Sequence, residues 1–329
     1  MTALAPTLES FFTDRLARQR QASPHTVVAY RDTWRLLLGF THDRVGKAPC
    51  HLDIGDLDAP LIGAFLDHLE HVRGNAVSTR NIRLAAIHSF FNYAALRHPE
   101  HAEVIARVLA IPAKRHDRAI VSFLTPPETG ALLAAPDTTT WRGRRDHALL
   151  HVAIQAGLRV SELTGLTCAD VRLGAGAHLR VHGKGRKERI TPLTKHSVKI
   201  LRAWLAQRRG QGNDPLFPTS RGTPLSRDAV AKLLTKHVAA AAGRCPSIGH
   251  KSVSPHTLRH TNAMDLLRAG VDTTVIALWL GHEQIQTTLI YLHADLTIKE
   301  RALARTTPPT VTPGRYKPAE TLLAFLDAL

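Results

Sequence analysis

The chain has 329 residues, 44% of them hydrophobic, which supports two cored domains and excludes disorder throughout. Lys and Arg number 43 against 27 Asp and Glu, and the net charge of +16 favours a polyanionic partner, nucleic acid foremost. Three scattered cysteines (Cys50, Cys168, Cys245) exclude a disulfide framework and a Cys-x-x-Cys zinc site, and neither a signal peptide nor a membrane-length apolar run is present, so a soluble cytoplasmic protein is expected.

Residues 1–110 read as an all-helical domain. Leu8, Phe11, Phe12 and Leu16 recur at helical spacing. Ser23 and Pro24 form a helix start, followed by Val27, Val28, Trp34, Leu37 and Leu38. Further helices are expected near 60–72 and 78–96, with Gly74 and Asn75 in the turn between them. Residues 111–124, with Pro112, Lys114, Arg115, His116, Asp117 and Arg118, lack periodicity and read as a basic linker. Such a stretch suits a DNA backbone or an ordinary solvated loop equally well.

A second domain is expected over 125–305. Thr125-Pro-Pro-Glu128 has the form of a capping box, and a helix over 142–156 is ended by Gly157. Val171 to Leu193 changes to short strands, with turns at Gly174–Ala177 and Gly183–Lys187. Helices follow near 194–208, 226–241, 255–269 and 272–280. Residues 306–318 contain four prolines and read as a tether, and 319–329 as a short amphipathic helix that needs a partner surface. The fold class is thus mainly α with a small antiparallel β-sheet.

Several polar residues of the second domain suit phosphate chemistry. His256 and Arg259 lie three apart near a helix start, where a phosphate is readily held. Arg159 follows a helix end, and Glu162 lies three residues on. Two arginines can grip the non-bridging oxygens of a phosphodiester and stabilise the charge that builds during attack. Lys184 sits between two glycines in a hairpin turn, placed to protonate a leaving oxygen. Tyr291 lies nine residues beyond His282. A phenol becomes a nucleophile when a base takes its proton and cations stabilise the product. Taken one at a time, an exposed lysine and a packed tyrosine are the ordinary readings. His256 and His260 lie four apart, a spacing metals use, but no glutamate adjoins His256, and no metal or cofactor is expected.

Together these residues resemble an established set. Gln155-Ala-Gly-Leu-Arg-Val-Ser-Glu-Leu163 is similar to the first arginine motif of the tyrosine recombinases, the phage integrase family. Gly183-Lys-Gly-Arg-Lys-Glu-Arg-Ile-Thr-Pro-Leu193 resembles their β-hairpin lysine motif, Ser254-Pro-His-Thr-Leu-Arg-His-Thr261 their His-x-x-Arg box, and Leu280-Gly-His282 with Tyr291 their closing histidine and nucleophile. The helical first domain resembles the family's core-binding domain. The resemblance implies a two-domain DNA clamp that cleaves and rejoins strands through a 3′-phosphotyrosyl intermediate. It implies Tyr291 as nucleophile, Arg159 and Arg259 on the scissile phosphate, and Lys184 as general acid. His256 would assist proton transfer at the nucleophile, His282 would bond a phosphate oxygen, and Glu162 would steady the site.

Lys114, Arg115, Arg186, Lys187, Arg189 and His260 are read as candidate DNA contacts. The partner is double-stranded DNA, bound by a homotetramer because exchange between two sites needs four nucleophiles. A related recombinase or accessory proteins could join it, and helix 319–329 is expected to dock on a neighbouring protomer. Because the chain starts with the core-binding helices, the arm-binding domain of lambda-type integrases is not expected. The rivals are a type IB topoisomerase, a non-cleaving regulator on the same scaffold, and a metal-dependent nuclease, which the lack of clustered carboxylates disfavours.

Overall fold

The computed structural model describes residues 4–115, 121–183, 188–282, 286–289 and 291. The chain divides into two compact units, Met1–Ala119 and Ile120–Leu329. Among the described residues, no helix is long and apolar enough to cross a membrane.

The first unit is all-helical. Helix α1 (Leu4–Ser10) runs into a π-helical segment, Phe11–Gln19, whose buried Phe11 and Leu16 lie five apart. That spacing fits the wider π turn, which closes i to i+5. Helix α2 (Pro24–Val45) starts where Ser23 accepts from the Thr26 N–H and stops at Gly46, which has a φ of 74°. Helices α3 (Ala59–Asp67), α4 (Val77–Ala94) and α5 (Ala102–Leu109) complete the unit. Its core is aromatic: Phe90 meets Trp34 edge-on at 4.5 Å and Phe11 at 5.6 Å.

The second unit is built on α7 (Trp141–Ala156), whose Leu149, Leu150, Val152 and Ala156 are buried. Around it lie α6 (Pro126–Leu133), α8 (Val160–Gly165), α9 (Lys195–Arg208), α10 (Arg227–Ala242) and α11 (Pro255–Arg268). Helices α12 (Thr273–Leu280) and α13 (Gln286–Leu289) follow. Strands β1 (Val171–Arg172), β2 (His178–His182) and β3 (Glu188–Pro192) form one antiparallel sheet in that order, with Val181 opposite Arg189. The helices that periodicity and cap signals predicted, and the sheet, fall where expected to within a few residues, whereas α5 and α13 were not anticipated.

The stretch read as a featureless linker is tied down at both ends. Pro112 O accepts from Arg80 at 3.1 Å, and Lys114 exchanges two backbone hydrogen bonds with the Asn81 side chain. The Lys114 ammonium, read as a DNA contact, is ion-paired with Glu70 at 2.7 Å, whereas Arg115 is exposed. At the other end Leu124 is fully buried, and its N–H donates to Thr261 at 2.9 Å. Residues 116–120 lie outside the described residues.

Glu128 closes the entry to the second unit. Its carboxylate takes the Thr125 N–H at 2.7 Å, the Ser247 hydroxyl at 2.7 Å and the Lys251 ammonium at 2.6 Å, and Lys251 also bonds Phe123 O. Burial alone would raise this carboxyl, but Lys251, Thr125 and Ser247 outweigh it and hold it down at about 2. The folded value is depressed, so the stability is present above the ordinary value of 4.5 and lost as pH falls toward 2. Glu128→Gln should therefore cost about 2 kcal/mol at neutral pH. In denaturant unfolding the gap from the unsubstituted protein should close through that acid window; a gap independent of pH would rule the carboxylate out as its source.

Candidate active site

Three arginines meet at the end of one helix. Helix α12 starts at Asp272, which accepts from the Thr274 N–H, and stops at Gly281 with a φ of 65°. The last carbonyls of a helix have no partner within it and carry partial negative charge. Here Trp279 O accepts from Arg189 Nε at 3.0 Å, Leu280 O from Arg259 at 2.6 Å, and Gly281 O from Arg159 at 2.9 Å. The other end of the Arg259 guanidinium bonds Gly157 O at 2.7 Å, so this side chain ties the C-termini of α7 and α12 together.

Local sequence fixes each arginine. Gly157 turns the chain with a φ of 61°, and a Cβ there would sit 2.6 Å from both Asn262 Oδ1 and Leu280 Cδ2. Only glycine satisfies both the backbone and the space. Arg159 then caps α8: its N–H donates to Glu162 Oε2 at 2.9 Å and its guanidinium to Oε1 at 2.9 Å. Arg259 is carried by α11, whose start is held by reciprocal bonds between Ser254 and Thr257.

Glu162 is the counter-charge. Besides Arg159 it receives both ends of the Arg189 fork, at 3.0 and 2.8 Å. Burial would raise its carboxyl, but Arg189 and the Arg159 N–H hold it below the usual range, so it stays ionised. The Arg189 side chain, read as a backbone-phosphate contact, is only 14% exposed and is engaged with Glu162 and Trp279. Strand β3 turns Arg189 inward and leaves Ile190 66% exposed, the reverse of what hydrophobicity suggests.

Tyr291 sits against this group. It is 1% exposed and packs with Ala263, Met264, Ile276 and Leu280. Burial raises its phenol above the ordinary value, while Arg259 and Arg159 pull the other way. Its hydroxyl lies 3.0 Å from Nδ1 of His260. His260, read as a candidate DNA contact, is half-buried and turns Nδ1 toward Tyr291, following Arg259 on the same turn of α11. The His282 ring stacks on Tyr291 at 6.4 Å, and its Nδ1 bonds Thr288 at 2.7 Å. His256 lies with its ring 6.3 Å from that of His260. Burial first, then Arg259 and Arg159, lowers His256 and brings His282 to about 4. Thr288 and Asn262 escaped the sequence reading, since neither has a spacing signal of its own. Lys184, Arg186 and Lys187 lie outside the described residues.

Arg159 spends two of its five N–H donors on the protein and keeps 32% of its side chain exposed, so it can receive an anion. Arg189→Met should cost about 3 kcal/mol, because it leaves Glu162 short of a buried partner. Arg189→Lys should recover only part of that, since an ammonium lacks the planar fork. Unfolding curves in urea check both, and equal stability of Met and Lys variants would show that the fork is not what matters.

Comparison with known proteins agrees with this geometry. Residues 122–297 match the phage integrase family, and residues 10–98 match the phage integrase N-terminal SAM-like domain. A protein of Sinorhizobium fredii named integrase/recombinase y4rC is 57% identical over 327 residues, 99% of this chain and 98% of its own length. The tyrosine recombinase XerC of Pelobacter propionicus is 36% identical, over 91% of this chain and 94% of its own. In fold, the chain is similar to XerH site-specific recombinase, in a post-cleavage complex with its palindromic difH substrate, with a TM-score of 0.69 at 22% identity, covering 87% of this chain and 81% of that one. These matches do not favour a topoisomerase or a non-cleaving regulator. The chain belongs to the phage integrase family, the tyrosine recombinases, and is a DNA strand-transferring enzyme of site-specific recombination.

Proposed function

We propose that Tyr291 is the nucleophile of this strand transfer, with double-stranded DNA as substrate and partner. Its oxygen attacks the scissile phosphorus, the bond to the 5′-oxygen breaks, and a 3′-phosphotyrosyl link conserves the bond energy for rejoining. Arg159 and Arg259 hold the non-bridging oxygens, and His282 bonds one of them. Lys184 protonates the leaving 5′-oxygen, and His256 assists proton transfer at the nucleophile. Glu162 steadies both Arg159 and Arg189. The observation that carries the reading is the single cluster in which the Tyr291 hydroxyl feels Arg259 and Arg159 and touches a histidine.

The assembly follows from the chemistry. Exchange between two duplexes breaks four strands, so a homotetramer on DNA is the form proposed. Residues 319–329 lie outside the described residues. Their apolar sequence supports docking on a neighbouring protomer, and a chain ending at residue 318 should bind DNA yet assemble poorly on it in sedimentation; unchanged assembly would exclude that role.

The nucleophile is tested on a nicked duplex that the protein itself selects from a random library. The unsubstituted chain should form an adduct that survives denaturation, with the 3′ end on the peptide containing Tyr291. Tyr291→Phe should form none, while binding the duplex as before. An adduct on another residue would overturn the assignment.

A further inference from the structure

Among the described residues, the hydroxyl of Tyr291 meets one histidine nitrogen at hydrogen-bond distance, and that histidine is His260, 3.0 Å away through Nδ1. The two other candidate histidines are placed differently. His282 gives Nδ1 to Thr288, and its ring lies within 16° of parallel to Tyr291, so the two present faces to each other. The His256 ring stacks on His260 rather than on the tyrosine. The His260 and Tyr291 rings meet edge to face, at 5.5 Å and 61°, which suits an in-plane lone pair aimed at a hydroxyl.

We propose that His260 is a catalytic residue, the base that takes the phenol proton directly as Tyr291 attacks the phosphate, with His256, stacked on it, assisting that transfer from behind. The inference rests on the reading of Tyr291 as nucleophile. As the bond from the tyrosine oxygen to phosphorus forms, the O–H proton passes to Nδ1 of His260. The bond from phosphorus to the 5′-oxygen breaks, and that oxygen takes a proton from Lys184. Rejoining runs the same transfers backward: the 5′-hydroxyl attacks, and His260 returns its proton to the tyrosine oxygen. Nothing is oxidised or reduced.

The surroundings give this base a condition. Burial first, then His256 and Arg259 on its own helix, hold His260 at about 4, so it is neutral and able to accept near pH 7. His282, beyond the end of α12, also faces it, as does the Tyr291 phenol. In that company the imidazolium is costly until a negative charge enters. A phosphodiester on Arg159 and Arg259 supplies that charge and raises the basicity of His260. Proton transfer is thus favoured when DNA is in place and disfavoured when it is not.

The test uses the full chain and the selected nicked duplex, made with the ordinary 5′-oxygen or with a 5′-bridging sulfur, a leaving group that needs no acid. Adduct formation by His260→Ala and His260→Asn should be slowed about 100-fold on both substrates. Lys184→Ala should be slow with oxygen and recover with sulfur. Recovery of the His260 variants with sulfur, or a wild-type rate for His260→Asn, which can hold the hydroxyl but not take its proton, would overturn the proposal. Should His260→Ala fail to fold, the contact is read in the intact chain from the Nδ1 nitrogen resonance of His260, which should move in Tyr291→Phe; an unmoved resonance also overturns it. An adduct that persists in Tyr291→Phe sinks the nucleophile reading itself, whatever the His260 variants do.

Discussion

Guanidinium groups repel one another, and a fold that gathers three of them must supply negative charge to hold them. In this protein backbone carbonyls and one carboxylate share that task. Trp279, Leu280 and Gly281 offer three successive carbonyls, and Arg189, Arg259 and Arg159 take one each. Gly157 O, at the end of α7, takes the remaining end of Arg259. Each helix C-terminus carries about half a negative charge, and Glu162 adds a full one. Against three guanidiniums this leaves roughly one positive charge before Lys184 is counted. A phosphodiester group carries one negative charge, so the arginine cluster by itself offers the charge that would balance it.

The same carbonyls place the rest of the chemistry. His282 follows directly on Gly281, so the helix end that anchors the arginines also sets where the histidine chain begins. From there the rings of His282, Tyr291, His260 and His256 succeed one another in contact. Burial keeps these histidines neutral and the phenol protonated. The apolar packing of Tyr291 against Met264, Ile276 and Leu280 is therefore part of the chemistry. It fixes a hydroxyl that, on a mobile segment, would lose the advantage of orientation.

Local signals made most of the fold legible. Ser23 with Pro24, Thr125 with Glu128, and Gly157 act within a few residues of themselves, and each does in the structure what its type predicts. The π-helical Phe11–Gln19 was not legible, since over nine residues its spacing scarcely differs from an α-helix. The direction of charged side chains was the real gap. Arg189 and His260 have the composition of DNA contacts, but strand alternation and helix phase turn them inward, toward partners far away in sequence. The ionic partner of Arg189, Glu162, lies 27 residues earlier, and no local pattern announces such a pair. Likewise Lys114 carries the charge of a linker contact and spends it on Glu70.

The central claim is that the anchored arginines exist to balance the charge of a scissile phosphate. The most direct measurement replaces that phosphate, in the selected nicked duplex, by an uncharged methylphosphonate and follows adduct formation by Arg159→Ala. With the charge gone, the need for Arg159 should go with it: the variant should be severely slowed on the phosphodiester and approach the unsubstituted protein on the methylphosphonate. An Arg159→Ala variant equally slow on both would contradict the account and make the arginine cluster a structural support alone.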